Sequence, residues 1–441
     1  MDDQSVLLDR AAGAVEAAMA AGAQGAFASA NRSRKVEYSY RDGELEKVQE
    51  DTSRGLSISV YVDGRYSSHR TTDLRSDQLA AFVQEAVALT RMLQPDPHRK
   101  LPDPSLYPKR TDQHDLDIHD PTVGGLDREA RLERLTTIGA GLSQAPKLIS
   151  WTAGITDYQT LGAMVSSNGF SGAEARSSAW MGADITLRGE GDARPAAWYW
   201  GGAHHLSEMP SADEIVQGVL KRAEIRLGSV QGPTKRTLMI VRPEAAGRLV
   251  ADLLSPASAA SIQQKRSFWA GQTGQKMFSD KLTLIDDPLR VRGLNSRSFD
   301  NEGIAAQPLP IIAQGVIENV YVDTYYGSKS GMAPTTGSRS NLRWAYGERD
   351  LDALIADADD AVLVAGWLGG NSDRNTGDFS RGMHGQLVRN GEIGASVSEM
   401  NVTGNLVELF QNLVEVGADP YAYSSTYSPT LVFEGVQFSG A

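Results

Sequence analysis

The 441-residue chain contains no cysteine. That excludes disulfides, thiolate metal ligands and thiol nucleophiles. Long apolar runs are missing too. No stretch reaches the roughly 18 residues that a membrane-spanning helix needs, so none is expected. The first residues, MDDQSVLLDR, lack a basic segment followed by an apolar one. A secretory signal is therefore not expected, and a cytoplasmic location is. Positive charge is in short supply: 43 Lys and Arg face 55 Asp and Glu, for a formal net charge of -12. Affinity for nucleic acid comes largely from neutralising phosphates, and no basic patch is evident along the chain to supply it. No nucleic-acid or membrane partner is expected.

What is present reads as a globular chain of about three domains at roughly 150 residues each. The fold class expected is α+β, with a helix and strand-meander region over 1–110. A middle α+β region is expected over 111–232, and a strand-rich domain with few helices over 233–441. SVLLDRAAGAVEAAMAAG (5–22) is Ala-rich with helical spacing. Strands are predicted at 36–40, 44–48, 55–62 and 65–71, turning at Arg41-Asp42-Gly43 and Asp63-Gly64, where glycine accepts positive φ. A helix is predicted over 76–93 with Ser76 as its N-cap. The proline-dense stretch 94–110 reads as a linker or extended strap. Helices follow at 127–144 and 211–228, with a turn at Asn168-Gly169 between strands. Beyond residue 233, strands are predicted at 234–243, 282–288, 315–327, 361–370 and 385–394. One late helix is predicted from the stripe Val402, Leu406, Leu409, Phe410 and Leu413.

Several patterns invite chemistry. NTGDFSRGMHGQLVRNGEIG (375–394) is glycine-rich but matches neither a Walker loop nor a dinucleotide loop. Its Asn390-Gly391 pair is hairpin chemistry. Ser380, Asp378 and His384 have the residue types of a hydrolytic triad, without a nucleophile-elbow sequence. They read better as side chains that fix a tight loop. DQHDLDIHD (112–120) sets His114 and His119 among four aspartates, competent metal ligands in what reads as a solvated acidic loop. His204 and His205 are adjacent, so on a regular element they point apart. Asp300-Asn301-Glu302-Gly303 reads as a turn before an extended segment.

Taken together, four segments resemble the TldD/PmbA family. They are SFDNEGIAAQP with GVIENVYVDTYYG; MAPTTGSRSN (332–341); NTGDFSRGMHGQLVRNGEIGASVSEMNVTGNLVELF (375–410); and SPTLVFEGVQFSGA (428–441). The third is the most specific, and the likeness is best from about residue 235 onward. The resemblance makes Asn375, Gly377, Asp378, Ser380, Arg381, Gly382 and His384 a family landmark loop. It implies a two-subunit zinc metalloprotease acting on peptides or unfolded segments. The TldD-type subunit carries His-Glu-x-x-x-His on a helix plus a cysteine ligand, and the TldE-type subunit lacks the metal site. At the matching place this chain reads Pro243-Glu244-Ala245-Ala246-Gly247-Arg248. Proline offers no ligand atom and arginine stays protonated. The resemblance therefore implies a TldE/PmbA-type subunit with no catalytic residues and no cofactor of its own. Zinc is expected in a TldD-type partner, with which this chain would form a heterodimer. Pro243 suits the first turn of a structural helix. Two alternatives stand beside this reading. One is a self-sufficient hydrolase using His114 and His119, or Glu244 with a metal held elsewhere. The other is a homodimeric peptide-binding module working by strand addition; homodimerisation of the chain when alone is open.

Overall fold

A computed structural model describes residues 4–109 and 114–440. The first half is built on one antiparallel sheet. Its strands are β1 (Gly25–Arg41), β2 (Glu44–Val62), β3 (Arg65–Thr71), β4 (Leu148–Ser166), β5 (Ser171–Leu187) and β6 (Ala196–Ala203), in the order β3-β2-β1-β4-β5-β6. β1 pairs with β4 from Phe27 opposite Ser166 to Arg41 opposite Thr152, so segments 1–110 and 111–232 share this sheet.

Side chains alternate between the faces of a strand. On β1 the even positions Ala26, Ala28 and Ala30 are buried under helices α1 (Gln4–Ala20) and α2 (Ser76–Thr90). The even positions Val36 and Tyr38 are buried under α3 (Arg128–Leu142) and α4 (Ala212–Glu224). The same parity at both ends puts both helix pairs on one face. α4 opens with a capping box: Ser211 accepts from the Glu214 amide, and Glu214 accepts from the Ser211 amide. α2 starts differently from the expectation. Arg75, not Ser76, is its N-cap, and its guanidinium binds Asp73 instead of capping the helix.

The second half contains β7 (Val230–Gln231), β8 (Lys235–Val241), β9 (Leu284–Asp286), β10 (Leu309–Ala313), β11 (Val316–Ile317), β12 (Leu342–Trp344), β13 (Asp360–Ser372), β14 (Asp378–Arg389), β15 (Glu392–Asn405), β16 (Leu413–Val416) and β17 (Leu431–Ser439). β9–β12 form a small sheet. The others form a seven-stranded sheet ordered β16-β17-β8-β13-β14-β15-β7, and β15 pairs again with β17 at Asn401–Ser439 and Val402–Phe438. That extra pairing closes β17, β8, β13, β14 and β15 into a ring. β8 leads directly into α5 (Pro243–Leu254), which has Pro243 in its first turn. Leu249, Val250 and Leu253 of α5 are fully buried in the core of this half.

Three expectations change here. Residues 378–384 of the landmark loop are strand β14; only 373–377 turn. Segment 315–327 is not one strand, because it passes from β11 to a short helix, Thr324–Ser330, capped by Asp323. The predicted helix around 402–413 shrinks to Leu406–Gln411, since Val402 lies on β15 and Leu413 on β16. All five stripe residues are buried in one core, so the stripe marked burial and not helical period. Asn405, accepting from the Val407 amide, starts the helix where β15 ends.

The proline-dense stretch, described to residue 109, is a strap across the two halves. Tyr325 donates to Asp96 at 2.8 Å, and Arg99 lies 3.5 Å above the Tyr325 ring.

Candidate functional site

A cavity of about 380 Å³ lies where the two halves meet at α5. β6 contributes Ala197 and Trp198. α4 and the turn after it contribute Arg222, Ile225 and Arg226. The entry to α5 contributes Arg242, Glu244, Ala245 and Arg248, β13 contributes Gly366 and Trp367, and β14 contributes Arg381 and His384. Two separate sequence signals therefore converge: Glu244 and Arg248 from the altered zinc motif, and Arg381 and His384 from the landmark segment.

The electrostatics are lopsided. Five arginines line the cavity. Glu244 is the one carboxylate on its wall, and it is shared by Arg242 at 3.3 Å and Arg222 at 3.5 Å. Arg381 is 2% exposed, and its guanidinium binds Asp252, one turn further along α5, through Nε at 2.9 Å and through a second close contact from Nη2. Arg248 is 3.7 Å from the same Asp252 and its side chain is 57% exposed. Arg226 donates to the Ala196 carbonyl and has no carboxylate at ion-pair distance among the described residues. Burial lowers its pKa from the ordinary arginine value.

His384 sits in this field as a neutral ring. Burial, then the charges of Arg226 and Arg222, push its pKa down to about 4. Its Nδ1 is buried without a hydrogen-bond partner. Gly366 makes room for it: a Cβ there would lie 2.5 Å from Nε2. A buried neutral histidine has a consequence for stability. The unfolded chain takes up the proton near pH 6.5, whereas the folded chain does so only near pH 4. This contribution is intact above pH 6.5 and is lost as pH falls from there to about 4. The difference integrates to roughly 3 kcal/mol. Urea unfolding of the wild type and His384→Gln across pH 4–7 is expected to show a steeper loss in the wild type. Parallel curves would mean that the ring finds a proton in the folded state.

The other sequence candidates fall elsewhere. Asn375, Asp378 and Ser380 line a separate open cleft with Arg266 and Arg374. Gly377, with φ +85°, lets the turn reverse before β14. Asp378 is held by Thr376 at 2.8 Å and Asn405 at 2.9 Å, while Nδ1 of His384 has no partner. The carboxylate–imidazole link of a triad is not formed. His114 and His119 are exposed; residues 112 and 113 of that stretch lie outside the described residues. His204 is buried against the carbonyls of Ser177 and Gly293, and His205 lies 3.0 Å from Asp117. Among the described residues no three His, Asp or Glu side chains group as a metal site.

At the altered zinc motif itself the donor set does not fit zinc. Position 243 has no donor, position 248 is a cation, and Glu244 is already shared by two guanidiniums. A dication would also face the surplus positive charge of the wall. Sequence reasoning missed Arg222, Arg226, Arg242, Trp198 and Trp367. The spacing of Arg222 and Arg226, four apart at the end of a helix, was the one local hint.

Comparison with known proteins fits this fold. Residues 234–440 match the PmbA/TldA metallopeptidase C-terminal domain, and residues 26–90 match PmbA/TldA metallopeptidase domain 1. The crystal structure of a Bacteroides thetaiotaomicron protein named as a modulator of DNA gyrase superposes with a TM-score of 0.95. It is 36% identical and covers 98% of each chain. The metalloprotease PmbA of Escherichia coli O157:H7 is 27% identical over 94% of this chain and 92% of its own. TldE from Thermococcus kodakarensis shares the fold at a TM-score of 0.85 and 19% identity, covering 98% of this chain and all of that one. The chain belongs to the PmbA/TldD metallopeptidase family. No helix among the described residues is long and apolar enough to cross a membrane.

Proposed function

We propose that this chain is the TldE/PmbA-type, metal-free subunit of a two-subunit zinc protease that acts on peptides or unfolded segments. Its TldD-type partner would hold the zinc and do the hydrolysis. This chain would close the chamber and shape the groove in which an extended segment lies. The observation that carries the reading is the state of the 243–248 turn. Pro243 and Arg248 stand where ligands would be needed, and Glu244, the residue that would activate a metal-bound water, is neutralised by Arg222 and Arg242. A peptide-processing role in the cytoplasm follows from the same family reading.

The test is direct. Tag-free chain purified alone is expected to contain well under 0.1 zinc per chain by elemental analysis. Co-expressed with a TldD-type subunit, it is expected to co-purify in equimolar amount, with peptidase activity that the chain alone lacks. About one zinc per chain alone, or hydrolysis without a partner, would overturn the proposal in favour of a self-sufficient hydrolase.

A further inference from the structure

The cavity described above has more positive charge than its own carboxylates use. Five guanidiniums face Glu244 and Asp252, a surplus of three. Burying cations without partners is costly. The cavity gathers them although the chain is acidic overall. Arg226 and the exposed end of Arg248 hold the unused capacity. Beside them lies the His384 ring, whose Nδ1 is buried and has no hydrogen-bond partner. The remaining wall is apolar. Arg222 lies 5.3 Å from the Trp198 ring, and Trp367 is fixed by donating Nε1–H to the Ala245 carbonyl at 2.9 Å. The volume is within the range of small-ligand sites, about 300–1,000 Å³.

We propose that this cavity is a carboxylate-binding site that anchors the acidic end of a peptide, with Arg226 and Arg248 as the anion ligands and Trp198 and Trp367 as the floor for an apolar side chain. A carboxylate fits for a reason visible in the wall itself. Glu244 already lies between Arg222 and Arg242, so this wall holds one carboxylate by guanidinium contacts and leaves Arg226 and Arg248 for a second. An anion here also gains from low dielectric and a fixed array of donors. The class of anion stands on the geometry alone. That a peptide brings it rests on the proposed function.

A short peptide ending in two leucines, titrated into the chain alone by calorimetry, tests the site. Three forms are compared: the free C-terminal acid, its amide, and the amide carrying one internal glutamate. The free acid is expected to bind at least tenfold more tightly than the plain amide. If the glutamate form matches the acid, the site accepts a side-chain carboxylate as well as a terminal one; if it matches the plain amide, it accepts the C-terminus alone. Both results support the site. Arg226→Gln and Arg248→Gln are each expected to weaken the acid tenfold or more, and Arg248, being exposed, keeps the test valid if Arg226→Gln fails to fold. Equal binding of acid and amide, no binding of any form, or unchanged affinity in Arg248→Gln overturns the proposal. So does displacement of the acid by inorganic phosphate at equal concentration, because the site would then be one for phosphate. The measurement needs no partner subunit. Failure here with successful co-purification of a TldD-type subunit sinks the site alone. Binding here without co-purification sinks the heterodimer alone.

Discussion

Asp252→Ala is expected to lower the unfolding free energy by about 3–5 kcal/mol, the cost of breaking a buried ion pair from one side. Arg381 is buried on β14, and Asp252 on α5 is its carboxylate, with Nε 2.9 Å away. Removing the acid leaves a guanidinium in the protein interior with no counter-charge, and arginine cannot escape by losing its proton. The double variant Asp252→Leu with Arg381→Met is expected to recover most of the loss, because desolvation of both charges is removed together. Urea midpoints at unchanged slope would report these differences. A loss below about 1 kcal/mol for Asp252→Ala would mean that water from the neighbouring cavity solvates Arg381 in place of the acid. In that case the pair would not be what ties α5 to the ring of strands.

Trp269→Ala is expected to cost a similar amount, about 3–5 kcal/mol, by a different route. Trp269 is fully buried, packs against Phe278 with ring centroids 5.9 Å apart, and donates its indole N–H to the Leu253 carbonyl at 3.0 Å. Truncation opens a cavity against the end of α5 and leaves that carbonyl unsatisfied. Trp269→Phe keeps most of the ring volume and loses the donor, so about 1–2 kcal/mol is expected. Equal losses for the two variants would show that the hydrogen bond, and not packing, dominates. Both Trp269 and Asp252 act on α5, the helix that presents Glu244 and Arg248 to the cavity. Partial unfolding of this region is expected to reduce peptide binding before global unfolding is seen.

The sequence by itself determined the features whose cause is local. Asp63-Gly64 and Asn390-Gly391 are turns because consecutive residues there take positive φ, 49° and 73° at the first pair and 50° and 79° at the second. Pro243 starts a helix because the first turn needs no N–H from it. The α+β class, the two flanking helices of the meander and the family were likewise legible. Burial was legible too, but its form was not. The stripe from Val402 to Leu413 is wholly in the core, yet pairing of β15 with β14 and β17 outweighed the helical spacing and left a helix of six residues. His384 and Arg381 look like loop residues beside glycines until the β13–β14 pairing makes them strand residues.

Only the tertiary structure decided the charge of the cavity. Composition gives an acidic chain, and no window of sequence holds a basic patch. Arg222, Arg226, Arg242, Arg248 and Arg381 are separated by up to 159 positions, and they come from a helix end, a strand exit, a helix and a second strand. Guanidiniums have no local pattern that announces such a meeting. They are gathered because the end of α4 packs beside the start of α5 and the strands β13 and β14, and packing of that kind is set by cores far apart in the chain.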